Sequence, residues 1–501
     1  MRAADCCVTR VAEVGSIAPT FTAGWPQISA CGVGGKLPLA GRTQRKDGAG
    51  PQQGVRMTDL SRIDRRIAAR GIRSAGARRG PAFRGTCLRL AALVSVLAFA
   101  GCGGGAAAGS PTVGAPSTLT STNPMPTSTP SATLAVVPSP IPTTGFSSTG
   151  SMAAARASQT ASVLSTGRVL IAGGGAPEDA AKAELYDPTT GTFSPTGSMS
   201  TRRYGATATV LSDGRVLIAG GWSEDPDAPV LASAELYDDA TGTFTATGSM
   251  TTPRVGHSAT LLPSGRVLIT GGQIESNNVF SALATAELFD PTTGTFSLTG
   301  SMTAARFNHT ATPLGDGPVL IAGGGGPTGV GSASSVGSAP SLASAELYNP
   351  ATGKFTATGS MVGARFWHTA TLLPNGHVLI AGGDDGTKPL ASAELYDPAA
   401  ATFSTTGSMA APRYLQTATQ LADGPVLVTG GFAENVGSLA SAELYEPNSA
   451  TFTPAGSMSD SRVEHTATLL GDGRVLIVAG GSTDEGLDDA ARLATAELYR
   501  P

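Results

Sequence analysis

The chain has 501 residues and no cysteine after Cys102. Whatever folds beyond that point does so without a disulfide, a thiolate nucleophile or a cysteine-ligated metal. Charge is sparse at 14% Asp, Glu, Lys and Arg, which argues against coiled coils and other long helices. Histidine occurs five times. The apolar run at residues 90–100 is eleven residues long, too short to span a bilayer. Residues 1–101 hold 16 Lys and Arg against 5 Asp and Glu, and the other 400 hold 17 against 32, so +11 precedes −15. A region carrying −15 lacks the basic stripe that nucleic-acid binding needs. No Gly-x-Ser-x-Gly, His-Glu-x-x-His or phosphate-cradling loop occurs, and no catalytic residue is assigned. Glycine (66) and proline (34) are abundant instead, which points to a turn-rich, all-β chain.

The stretch before Cys102 reads as a leader. Arg84 and Arg89 precede the apolar run, followed by Ala98, Phe99, Ala100, Gly101 and Cys102. This resembles a bacterial lipoprotein cleavage box, with Phe99 where that family usually has Leu. The resemblance implies an acylated Cys102 as the mature N-terminus, export across the cytoplasmic membrane, and an outer-membrane or cell-surface location. Acyl chains anchor strongly, since each buried methylene contributes about 0.8 kcal/mol. Residues 1–56 show no periodicity and Met57 opens a second possible frame, so 1–101 is assigned as basic leader and signal peptide. Residues 103–144 contain no Lys, Arg, Asp, Glu or His but eight prolines. Residues 102–142 are therefore expected to be a disordered spacer behind the lipidated cysteine.

Residues 143–501 are self-similar. Gly-Ser-Met recurs at Gly150, Gly197, Gly248, Gly300, Gly359, Gly407 and Gly456. Each unit holds four short β-rich runs bounded by Gly, Pro, Asn or Asp. The second ends in a Gly-Gly doublet and the third contains Glu-Leu-Tyr, once with Phe289. A period near 50 with these marks resembles the kelch repeat. The resemblance implies a seven-bladed β-propeller with four antiparallel strands per blade. One departure is uniform: the fourth strand carries Phe (Phe146, Phe193, Phe244, Phe296, Phe355, Phe403, Phe452) where kelch repeats usually carry Trp. The seventh unit lacks a fourth strand, whereas an unpaired one around Phe146 precedes the first. We expect that segment to complete the last blade. The seventh second strand, Val475 to Ala479 before its glycines, is one residue longer than its siblings and reads as a β-bulge.

In such a sheet order, the loops between second and third strands share a face with the approaches to the first strands. The longest of these loops runs from Gly325 to Pro340. Binding residues favour such loops on a rigid scaffold. Three sets lie there. Arginines open every first strand (Arg156, Arg203, Arg254, Arg306, Arg365, Arg413, Arg462), either as a guanidinium ring for carboxylates or sulfates or as structural partners of the seven repeated glutamates, Glu184 to Glu497. Three residues on stand His257, His309, His368 and His465, with Gln159, Ala206 and Gln416 elsewhere; this substitution pattern favours a polar strand start over a metal site, and no metal is expected. Between them the repeats differ: Tyr204, Phe307, Asn308, Phe366, Trp367, Tyr414, Leu415, Val463 and Glu464, with Trp222 in a loop. Exposed aromatics there would suit sugars or peptide side chains. Acids in the loops (Glu224, Asp225, Asp227, Asp384, Asp385, Asp484, Glu485, Asp488, Asp489) lack calcium-loop spacing.

The kelch family includes copper radical oxidases that need a cysteine cross-linked to a tyrosine, which residues 103–501 cannot supply, and a sialic-acid epimerase-like branch. We expect a monomeric, membrane-anchored module binding a protein or glycan, with no cofactor and no nucleic acid. The alternative is a carbohydrate-active enzyme, epimerase- or hydrolase-like, on the same propeller.

Overall fold

The computed structural model describes residues 144–501 except 224, 226–228, 277–278, 316, 328–339 and 484–490. The leader, Cys102, the proline-rich spacer, most of the loop from Gly325 to Pro340, and the acids Glu224, Asp227, Asp484, Glu485, Asp488 and Asp489 lie outside the described residues.

Each repeat folds into four antiparallel strands, in the fifth blade Thr369–Leu372, Val378–Ala381, Ala393–Asp397 and Thr402–Thr405. Turn residues punctuate them. Asp397 Oδ1 accepts the Ala399 N–H, and Asp187, Asp238, Asp290 and Asn349 cap the equivalent turns in other blades. The second strand of every blade is buried at all four positions, because neighbouring blades cover both faces of its sheet. Seven such sheets stand in a ring, each innermost strand against those of its two neighbours and the seventh against the first. The apolar core lies in the layers between blades. Between the first and second it comprises Leu164, Leu170, Leu185, Met199, Val216, Ile218 and Tyr237. A four-stranded sheet cannot bury both faces alone, and radial stacking does so.

The last blade closes as expected. Gly145–Ser148 pairs antiparallel with Ala496–Arg500, giving a sheet whose outermost strand comes from the beginning of the repeat region. The Phe146 ring lies 5.0 Å from that of Tyr499, reproducing the Phe–Tyr or Phe–Phe pair of the other blades. Gly-Ser-Met now has a physical account. Gly197 donates to the Gly242 carbonyl of the next blade, where a Cβ would come within 2.4 Å of that oxygen. Met199 then fills the layer between the two blades.

The bulge expected in blade seven is absent. Val475–Val478 pairs with both neighbouring strands without a register shift. The additional residue follows the strand: Ala479 takes the left-handed conformation (φ 64°) of the first doublet glycine elsewhere, and Gly480 that of the second. A register irregularity occurs instead in blade six, between Ser441 and Glu443.

Candidate functional site

The seven arginines lie inside the wall. Each is at most 1% exposed, and its Nη2 donates to the repeated glutamate of its own blade at 2.7–3.1 Å. Nη1 donates to the carbonyl where the second strand ends, from Gly173 to Ala479, at 2.6–3.2 Å. The glutamates' second oxygens accept backbone N–H groups of the incoming connectors, Ala153, Ser200, Thr251, Thr303, Val362, Ala410 and Ser459. The ion pairs thus pin each connector to its blade. A guanidinium so enclosed is out of a ligand's reach, so Arg156, Arg203, Arg254, Arg306, Arg365, Arg413 and Arg462 form scaffold, not an anion-binding ring.

The histidines are also inside. His257 Nε2 pairs with Thr207 Oγ1 of the preceding blade, His309 with Ser258 and Thr270, His368 with Thr310, and His465 with Thr417 and Thr429, at 2.9–3.0 Å. Gln416 and Gln159 donate from the same position to Ala381 and Val478 carbonyls. His and Gln are interchangeable because both fasten one blade to the last. Burial, with the adjacent arginine, pushes His257 down to about 3, and burial drives His368 and His465 to the same value. His309 falls well below the ordinary value for the same cause. Neutral rings walled in between blades are not ligand groups.

Between arginine and His or Gln lies the site. The second residue after each arginine is left-handed in all seven blades: Ser158 (φ 57°), Gly205 (57°), Gly256 (64°), Asn308 (49°), Trp367 (52°), Leu415 (55°) and Glu464 (55°). At six of the seven junctions the N–H of one donates to the carbonyl of its predecessor, at 2.8–3.4 Å: Gly205 to Ser158, Asn308 to Gly256, Trp367 to Asn308, Leu415 to Trp367, Glu464 to Leu415 and Ser158 to Glu464. A girdle of backbone therefore surrounds the axis at the loop-side mouth. Left-handed geometry costs a non-glycine residue about 1–2 kcal/mol, so the surrounding fold holds five residues in it.

The side chains of this girdle break the sevenfold repetition. Ser158 Oγ donates to Glu464 Oε2, joining blades one and seven. Asn308 leans over Gly256, its Oδ1 2.6 Å from where a Cβ would stand. Gly205 has open space beside it, with only a Val255 methyl at 3.9 Å. Trp367 stacks on Tyr414 at 5.4 Å and 15° and touches Phe366 at 4.6 Å. Phe307, Phe366, Tyr414, Phe432 and Val463 form an apolar cluster with it, partly covered by Leu415. Tyr204 pairs with Trp222, whose ring meets Phe280 at 5.8 Å; all three are half-buried, on the blades that supply the two glycines.

Carboxylates gather on the other side. Burial raises the pKa of Asp384 and of Glu464 from the ordinary carboxylate values. Burial, reinforced by Asp384, Glu434 and Glu464, raises the Tyr414 phenol well above its ordinary value.

Of the residues singled out from sequence, Asn308, Trp367, Leu415 and Glu464 lie on the girdle, with Tyr204 and Trp222 beside it. Phe307, Phe366 and Tyr414 are buried at 1–3%, not exposed platforms, because short bridges to Gly325, Asp384 and Phe432 fold the loops over them. Sequence reasoning missed Ser158, Gly205, Gly256 and Phe280. The signal was present: two glycines and an asparagine in one column of the repeat mark a left-handed position.

No family model and no curated protein matches the chain. Among solved structures it is similar to a fungal alcohol oxidase of the AA5 family in complex with copper, at 17% identity, TM-score 0.54, over 71% of this chain and 75% of that one. It is also similar to YjhT, at 13% identity, TM-score 0.48, over 61% of this chain and 98% of that one. The likeness to the oxidase is one of fold alone. Copper does not fit the described residues of the propeller: no cysteine follows Cys102, the four wall histidines engage hydroxyls through Nε2 in separate layers, and among the described residues no group of three His, Cys, Asp or Glu could hold a metal.

Proposed function

We propose that this protein is a kelch-type propeller acting as a membrane-anchored, extracytoplasmic binding module, with a protein or glycan ligand seated at the mouth encircled by Ser158, Gly205, Gly256, Asn308, Trp367, Leu415 and Glu464. One observation carries the reading: a wall repeated seven times holds strained residues whose side chains differ from blade to blade. Identical walls serve stability, whereas a varied rim on a rigid frame serves selection among ligands. The lipoprotein-like box at Cys102 and the charge-free spacer behind it support display at a membrane surface.

The test compares wild type, Trp367→Ala and a far-face control, Asp213→Ala, for binding to arrayed glycans and to envelope proteins. Loss in the first variant alone, in protein that stays folded at the assay temperature although its melt is lowered by the emptied aromatic cluster, is the expected outcome; equal binding by all three removes the mouth from consideration. The enzyme alternative has one observation in its favour, the raised carboxyls of Asp384 and Glu464, which resemble general acids. Turnover of an arrayed glycan, abolished in both Asp384→Asn and Glu464→Gln, would establish it instead.

A further inference from the structure

Six of the seven seams between blades are fastened by the side chain three residues past the arginine. His257, His309, His368 and His465 reach a hydroxyl of the preceding blade, and Gln159 and Gln416 reach a carbonyl. All six are at most 8% exposed. The seam between blades one and two has Ala206 in that place, and Ala206 is only half-buried. In the histidine seams the ring fills a slot over the first doublet glycine of the preceding blade. Its Cε1 stands 2.7–2.8 Å from where a Cβ would be on Gly220, Gly271, Gly323 or Gly430. Over Gly173, in blade one, the nearest side-chain atom is Met199 Cε at 3.4 Å.

The polar end of this slot is nevertheless built. Thr160, 9% exposed, donates Oγ1 to the Ala172 carbonyl at 3.3 Å. Thr207 makes the same bond to Ala219 at 3.5 Å and still takes His257 Nε2 at 2.9 Å. Among the described residues, nothing takes that second place on Thr160 Oγ1. Gly205, next to Ala206 on the girdle, is exposed and has no side chain to cover the way in; a Val255 methyl at 3.9 Å is its nearest neighbour. The other seams show which groups fit such a slot: a neutral imidazole in four, a carboxamide in two. Three of them share the Thr–Ala pair of Thr160 and Ala172, and two of those three, at Thr207 and Thr310, hold histidine.

Resting on the reading of the mouth as a binding face, and naming what it takes, we propose that the slot at Ala206 receives the imidazole of a histidine side chain of a partner protein, entering over Gly205 with a ring nitrogen on Thr160 Oγ1. The ring would regain contacts that the truncation to alanine forgoes, against walls already rigid, so little ordering opposes its binding. Only the neutral ring suits the slot, because the layer around it is apolar and would leave an imidazolium without a counter-charge.

The experiment titrates the whole protein with Nα-acetyl-histidine methylamide and its phenylalanine and glutamine counterparts, by ligand-observed magnetic resonance. The histidine probe should bind at least tenfold more tightly than the phenylalanine probe, and more tightly than the glutamine probe. Lowering the pH from 7.5 to 5.5 should weaken it about tenfold, as the free ring with its ordinary pKa near 6.5 becomes charged. Ala206→His places the protein's own ring in the slot and should cut the affinity at least tenfold while the melting temperature holds or rises. If that variant does not fold, Ala206→Gln, the side chain native at 159 and 416, gives the second measurement with the same loss expected. Equal binding of histidine and phenylalanine probes, tighter binding of the glutamine probe, no pH dependence, or full affinity in the folded variant overturns the proposal. If those results appear while Trp367→Ala still abolishes ligand binding, the slot assignment falls alone. If Trp367→Ala also binds normally, the mouth falls with it.

Discussion

Ser158 and Glu464 are 306 positions apart in the chain and touch through their side chains at the mouth, Oγ to Oε2. They are neighbours only because blade seven is set against blade one. Their contact therefore reports on closure of the ring as well as on the proposed binding face.

Removing residues 143–152 takes away the strand that pairs with Ala496–Arg500, the Phe146–Tyr499 contact and Met152 in the layer between blades seven and one. We expect a fall in melting temperature of well over ten degrees, since several kcal/mol of burial and pairing are lost and about 1 kcal/mol moves a domain of 150–250 residues by roughly 2–4 °C. An unchanged calorimetric melt would show that the clasp is dispensable.

Arg365→Met leaves Glu394 buried without its guanidinium and should cost about 3–5 kcal/mol in urea unfolding. Adding Glu394→Leu should recover part of that loss, because the uncompensated charge disappears with it. If the surviving folded protein keeps its ligand affinity, the arginines are scaffold; selective loss of affinity at full stability would return them to the binding site.

Stability should decline in mild acid. His257, His368 and His465 have native pKa values near 3 against about 6.5 when unfolded, so below 6.5 the unfolded chain takes up protons that the folded one refuses. Between pH 7.5 and 5.5 each contributes a loss of about 1.4 kcal/mol. His→Gln at these positions, a replacement that Gln159 and Gln416 already make, should flatten the pH dependence of the melt. A melt insensitive to pH over that range in the wild type would contradict the buried neutral assignment.

Gly205 and Gly256 adopt nearly the same backbone but have different surroundings. Gly205→Ala should cost only the conformational term, about 1–2 kcal/mol, while Gly256→Ala also drives a Cβ onto Asn308 Oδ1 and should cost more. Gly256→Ala with Asn308→Gly should bring the two back to parity in thermal denaturation.

The ring was readable in the chain because its signals are local and repeated. Turn residues bound each strand, doublet glycines lie where the next blade approaches, and the lone strand around Phe146 matches the missing fourth strand of blade seven. The extra residue in that blade misled because counting from Val475 cannot tell an insertion within a strand from a shifted doublet; only the left-handed backbone of Ala479 settles it. The arginines and histidines presented a different difficulty, since a side chain opening a strand on the loop face can point to the axis or into the wall. Phe366 and Tyr414 looked exposed because their burial depends on loops whose course their composition does not dictate. Trp367, Leu415 and Glu464 hid the girdle, being residue types that rarely take a positive φ.

Gly145 pairs with Arg500 at the start of one strand and the end of the other, on the face of the short turns. Both termini of the propeller therefore leave it from behind, one beside the other, and the girdle looks the opposite way. A leash reaching back from Gly145 to a surface would hold the molecule like a dish on a stem, and a tag fused at either end of the propeller would leave the open side unobstructed.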